Sequence, residues 1–177
     1  MKFNCGEAEA RKRAASIRAL GLDVDGVLSD GRLYFTSAGE EMKAFHALDG
    51  HGLKMLMQAG LQVAIITSRS SPILERRSKD LGITHLYQGA EDKLAALADF
   101  LAVAGLETSQ FCFVGDDLMD LPVLQAAGLA CSVPGGHEDV RSRVHIVTSA
   151  PGGKGAVREI TDFLLRCQQA YDQFLPP

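Results

Sequence analysis

Four short stretches carry the side chains able to do chemistry: Asp23-Val24-Asp25-Gly26-Val27, Thr67-Ser68-Arg69, Lys93, and Gly115-Asp116-Asp117. Carboxylates brought together repel one another and require a cation. Their oxygens favour a hard ion, Mg2+ above softer metals, and Mg2+ commonly keeps waters while holding substrate phosphate. A hydroxyl, a turn of backbone and a lysine supply donors for the remaining phosphoryl oxygens. One carboxylate can attack phosphorus as a nucleophile while a second serves as general acid and base. Phosphoryl transfer accounts for every piece. Each piece alone also has a plain alternative. Asp-x-Asp-Gly occurs in turns and calcium loops, although Val27 and Leu28 stand where a calcium loop places an acid and a glycine. Gly115-Asp116-Asp117 could cap a helix, and Lys93 could be a surface lysine.

What joins the four is their place in the chain. Short β-rich apolar runs at 19–24, 63–67, 85–87, 111–114, 129–133 and 145–148 alternate with helical patterns. The helical patterns cover 50–59, 72–81, 92–104, 119–127 and 137–141, with an N-terminal helix at 7–18 and a last one at 155–174. Gly60, Gly82, Gly105 and Gly128 stand where helices would end. Repeated strand-helix units predict a three-layer α/β/α fold with a central parallel sheet. In such sheets ligands bind beyond the carboxyl ends of the strands, which is where all four stretches fall. Residues 32–35 and 41–45, flanking Ser37-Ala38-Gly39, read as a β-hairpin inserted after the first strand. With no linker, repeat or low-complexity stretch, residues 1–177 read as a single domain whose core spans about 19–165.

Composition narrows the partners. The chain is 46% hydrophobic and 23% charged, ordinary for a globular protein and unlike a disordered or fibrous one. Eighteen Lys plus Arg against 22 Asp plus Glu give −4, a poor surface for nucleic acid. Arg11-Lys12-Arg13 reads as a solvated helix face. No apolar run is long enough to span a bilayer, and residues 1–15 are too polar for a signal peptide. Cys5, Cys112, Cys131 and Cys167 show no paired or zinc-ligand spacing, and Cys112 and Cys131 fall in apolar runs. The expectation is a reduced, cytoplasmic enzyme that touches neither nucleic acid nor membrane.

Taken in order, Asp23-Val24-Asp25-Gly26-Val27, Thr67, Lys93 and Gly115-Asp116-Asp117 resemble the four motifs of the haloacid dehalogenase-like phosphatase superfamily. The stretches "LDVDGVLSDG", "EEMKAFHALDGHGLKML", "VAIITSRSS", "GITHLYQGAEDK", "VGDDLMDLPV" and "GGKGAVREI" extend the likeness to its subgroup without a large cap domain, over about 19–165. That resemblance implies Mg2+ held by Asp23, the backbone carbonyl of Asp25, and Asp116, with Asp117 in support. It implies Asp23 as nucleophile, Asp25 as general acid and base, and Thr67 and Lys93 as phosphate holders. It places sugar-acid contacts at His46, Ala47, Leu48, Asp49 and Gly50, and at Lys54, Arg69 and Arg77, with Asp25 and Lys93 beside them. It also implies a homotetramer acting on the phosphate of an eight-carbon keto-deoxy sugar acid, with a C-terminal segment around Lys154 reaching a neighbouring subunit's site. A nine-carbon analogue and a non-catalytic module supporting a sugar nucleotide synthase are the alternatives. Leu48, Ser68 and Lys154 depart from the subgroup's usual Arg, Gly and Arg.

Overall fold

The computed structural model describes residues 1–37 and 41–176. In chain order the elements are β1 (Lys2–Phe3), α1 (Glu7–Ser16), β2 (Ala19–Leu22), β3 (Tyr34–Phe35), β4 (Glu41–Met42), α2 (Ala47–Gln58), β5 (Gln62–Ile66) and α3 (Pro72–Leu81). There follow β6 (His85–Tyr87), α4 (Lys93–Ala104), β7 (Phe111–Val114), α5 (Leu121–Ala126), β8 (Leu129–Ser132), α6 (Glu138–Arg141), β9 (Ile146–Val147) and α7 (Ala156–Cys167).

Seven strands make one sheet in the order β1-β9-β8-β7-β2-β5-β6, parallel except for the antiparallel β1. Side chains alternate between its two faces, and both faces are buried. Leu20, Leu22, Val63, Ile65, Cys112 and Val114 meet the layer of α1, α2, α3 and α7. Ala19, Ala64, Ile66, Phe111 and Phe113 meet α4, α5 and α6. Gly21 in β2 makes room for the second group, since a Cβ there would strike the rings of Phe111 and Phe113. From β2 the chain winds outward through β5 and β6, then returns to build β7, β8 and β9 on the other side. The reversal falls between β2 and β7, the place where open α/β sheets form their ligand crevice.

Several local readings change. β1 is missing from the sequence reading because two residues cannot display a period; Lys2 and Phe3 pair with Val147 and Ile146. The last helix stops at Cys167, not 174. There Gln168 turns its amide to the carbonyls of Ala14 and Ile17, Gln169 takes a φ of 58°, and Arg166 lies 3.7 Å over the Tyr171 ring. The helix expected from 119 begins at Leu121, beside Pro122, after a tight turn over Leu118–Asp120. Gly128 ends no helix in the left-handed region; a Cβ there would collide with the Ser109 carbonyl. The hairpin forms as β3 and β4, Tyr34 opposite Met42 and Phe35 opposite Glu41, while the Ala38-Gly39 part of its expected turn lies outside the described residues.

Candidate active site

Strand register assembles the site. Leu22 stands beside Ile65 on one side and Val114 on the other, and the Asp23 amide donates to the Val114 carbonyl at 3.0 Å. Asp23, Thr67 and Asp116 therefore leave three adjacent strands at one edge of the sheet. Gly26 allows the tight turn after Asp23, with φ 92°, and a Cβ on it would overlap the Asp116 carboxylate. Lys93 opens α4, whose first turn is capped by Asp92 accepting from the Leu94 and Ala95 amides at 3.0 Å.

The buried Lys93 ammonium lies 2.9 Å from Asp23 Oδ1 and 2.6 Å from Asp120 Oδ1. Asp120 was not singled out by sequence, although its spacing of four from Asp116 was there to be read. Fully buried, it also accepts from the Asp116 and Asp117 amides through Oδ2, at 2.9 and 3.2 Å. It thus shapes the loop that presents Asp116. Asp117, expected in support, is exposed and caps the turn at Leu118 instead.

Asp23, Asp116 and Asp120 offer carboxylate oxygens all within 4.8 Å of one another, the one such grouping of potential metal ligands among the described residues. Burial, then Asp120, raises the Asp23 carboxyl to about 6 against the pull of Lys93. Burial, then Asp23, Asp120 and Asp117, raises Asp116 to about 7. Burial alone would lower Lys93, but Asp23 and Asp120 outweigh it and hold the ammonium above its ordinary value. One lysine does not balance this much negative charge. An all-oxygen donor set short of positive charge fits Mg2+.

Asp25 faces another set of partners. Its Oδ1 meets Lys43 and lies 3.5 Å from Ser29 Oγ, and its Oδ2 lies 3.5 Å from Arg69 Nε. With the side chain so engaged, the backbone carbonyl is the part of Asp25 expected at a metal. Thr67 is buried, and its Oγ1 is 3.5 Å from the Arg69 amide.

The expected sugar-acid residues divide: His46, Asp49, Gly50 and Arg77 line one small pocket, while Ala47, Leu48, Lys54 and Arg69 are exposed. Asp49, 1% exposed, accepts from the amides of Arg158 and Gly155 at 2.8 and 3.2 Å. In this chain it caps the start of α7, and burial raises its carboxyl despite those amides. Gly50 is buried against the Arg77 guanidinium, which sits 5.6 Å from the Phe45 ring centroid. His46 lies beside them with no hydrogen bond to Nδ1 among the described residues. Ala47, Leu48 and Lys54 are exposed on α2. A cavity of about 370 Å³ opens instead beside Asp116 and Gly26, lined also by Gly31, Arg32, Gly152 and Lys154. The resemblance implies that the segment around Lys154 reaches a neighbouring subunit's site; within this chain its loop packs on the turn at Gly26, with the Gly153 amide donating to the Val27 carbonyl at 3.0 Å and Gly152 too close to Gly26 to carry a Cβ.

Asp120→Asn tests the residue that sequence missed. The amide would turn donors toward Lys93 and leave a buried ammonium half-paired, an effect of ~3–5 kcal/mol in stability. A clear fall in Tm together with a ~10²-fold loss of kcat is expected. Wild-type values for both would show the carboxylate to be dispensable.

A model of the haloacid dehalogenase-like hydrolase family matches residues 48–128. The chain is 47% identical over 157 residues to the 3-deoxy-D-manno-octulosonate 8-phosphate phosphatase of Yersinia pestis, covering 89% of this chain and 84% of that protein. It is 45% identical over 166 residues to the Escherichia coli K12 phosphatase of the same name, covering 94% and 88%. The Moraxella catarrhalis phosphatase, solved with magnesium ion, phosphate ion and a KDO molecule, superposes with TM-score 0.94 at 44% identity, covering 96% of this chain and 97% of that one. Likeness on this scale, over nearly the whole of both chains and with the acidic crevice in place, means that the chain belongs to the 3-deoxy-D-manno-octulosonate 8-phosphate phosphatase family of haloacid dehalogenase-like hydrolases.

Proposed function

We propose that the protein is a Mg2+-dependent phosphatase that hydrolyses 3-deoxy-D-manno-octulosonate 8-phosphate to the free sugar acid and phosphate, a step of lipopolysaccharide synthesis. The observation that carries this reading is the Lys93 ammonium bridging Asp23 and Asp120, with Asp116 beside them, at the reversal point of the sheet. Asp23 attacks phosphorus, and the P–O bond to the sugar breaks as Asp25 protonates the departing oxygen. Asp25 then takes a proton from water, whose oxygen attacks the aspartyl-phosphate, releasing phosphate and restoring Asp23. Thr67 and Lys93 hold phosphoryl oxygens through both steps. Asp23, Asp116 and the Asp25 carbonyl would hold Mg2+, which would offset the charge that gathers on the phosphoryl oxygens.

Residues 1–177 then form one domain of a cytoplasmic enzyme that works as a homotetramer. Apolar side chains left in water support the tetramer: Leu33, Tyr34, Phe35 and Met42 around the hairpin, and Leu48, 54% exposed, on α2. Such a neighbour would also bring cover to Lys54 and to the Arg32 and Lys154 rim. No helix among the described residues is long and apolar enough to cross a membrane.

The test is turnover of the eight-carbon and nine-carbon sugar-acid phosphates side by side. A higher kcat/KM for the eight-carbon ester is expected, and preference for the longer one would reassign the substrate. Leu48→Arg should lower KM about 3–10-fold with kcat little changed, as an added uniform contact does. An unchanged KM would mean that no cation is needed at this position.

A further inference from the structure

Lys43 follows β4 directly, between the exposed Met42 and Ala44, where an ammonium could have stayed in water. Its side chain is instead 1% exposed and ends on Asp25 Oδ1. Burying an ammonium is costly unless it is paired, so this contact organises what lies around it. The two oxygens of Asp25 are held unequally. Oδ1 has the buried Lys43, with Ser29 Oγ at 3.5 Å. Among the described residues, Oδ2 has Arg69 Nε at 3.5 Å, on a side chain 44% exposed.

We infer that Lys43 is the positioning residue for proton transfer: it anchors Asp25 through Oδ1 and leaves Oδ2 as the oxygen that exchanges the proton. The inference rests on the reading of Asp25 as general acid and base. The physical need is plain, because the first step leaves Asp25 a carboxylate beside the phosphoryl oxygens, which would repel it out of reach of the water if it were unheld. Lys43 balances that repulsion from behind. Arg69, longer in its contact and open to solvent, gives way to the substrate. In the first step the Oδ2–H bond breaks as the sugar O–H forms; in the second a water O–H breaks as Oδ2–H re-forms. One proton is shuttled and none is consumed.

Lys43→Met and Lys43→Arg, each made in the wild-type chain and in Asp25→Asn, test this with the eight-carbon ester and saturating Mg2+. Lys43→Met should lower kcat ~30–100-fold with KM altered less than ~3-fold, a share of the proton-transfer effect. Lys43→Arg should recover much of the loss. In the Asp25→Asn background the methionine change should cost less than ~3-fold, since the group it positions is gone. A merely structural lysine would cost as much in both backgrounds and would lower Tm in step with kcat. Wild-type kcat in Lys43→Met, an equal loss in both backgrounds, or a loss confined to KM would each overturn the inference. Should Lys43→Met fail to fold, Lys43→Gln is read by the same criteria. Full kcat in Asp25→Asn alone would instead overturn the role of Asp25.

Discussion

Asp23→Asn is expected to leave essentially no turnover and no phosphoenzyme, a loss of ~10⁴-fold or more. The amide oxygen is a poor nucleophile, and the side chain can no longer answer the Lys93 ammonium 2.9 Å away. Asp25→Asn should behave differently. It removes proton transfer, worth roughly 10²–10⁴-fold, while the attacking oxygen stays in place. Rapid quench with labelled substrate should therefore trap phosphoenzyme in Asp25→Asn and none in Asp23→Asn. Near-normal turnover by a well-folded Asp23→Asn protein would refute covalent catalysis by this residue.

Exhaustive chelation should abolish turnover, and added Mg2+ should restore it. Stability gives a second readout. Burial and neighbouring carboxylates raise Asp23 to about 6 and Asp116 to about 7, so both bind protons more tightly folded than unfolded. Their contribution favours the folded state at pH below the ordinary carboxylate range, and is lost as pH rises through about 6 and 7. Mg2+ competes with those protons for the same oxygens. It should therefore raise Tm more at about pH 8 than at about pH 5. Full activity after chelation, or equal Mg2+ shifts at both pH values, would sink the assignment of Asp23 and Asp116 as ligands.

Much of this protein can be read without coordinates, and the reason is locality. The alternation of apolar runs with helical stripes follows from the two periods of backbone structure, so the layered sheet and its principal strands were legible from the sequence. Asp23, Thr67, Lys93 and Asp116 were legible because each ends a strand or opens a helix, and strand ends converge wherever the sheet is parallel. Residues whose partners lie far along the chain were not. Lys43 and Asp120 read as ordinary charges until folding buries one against Asp25 and the other beneath Lys93. The neighbourhood of Asp49 in the sequence says nothing of the amides at the start of α7 that it meets 106 and 109 residues later. The packing of Gly152 and Gly153 on the turn at Gly26 was equally hidden, because contacts across more than a hundred residues decide it. Period and spacing set which elements form and which strand ends carry chemistry; only tertiary packing decides which charge faces which, because burial and pairing are properties of neighbours in space.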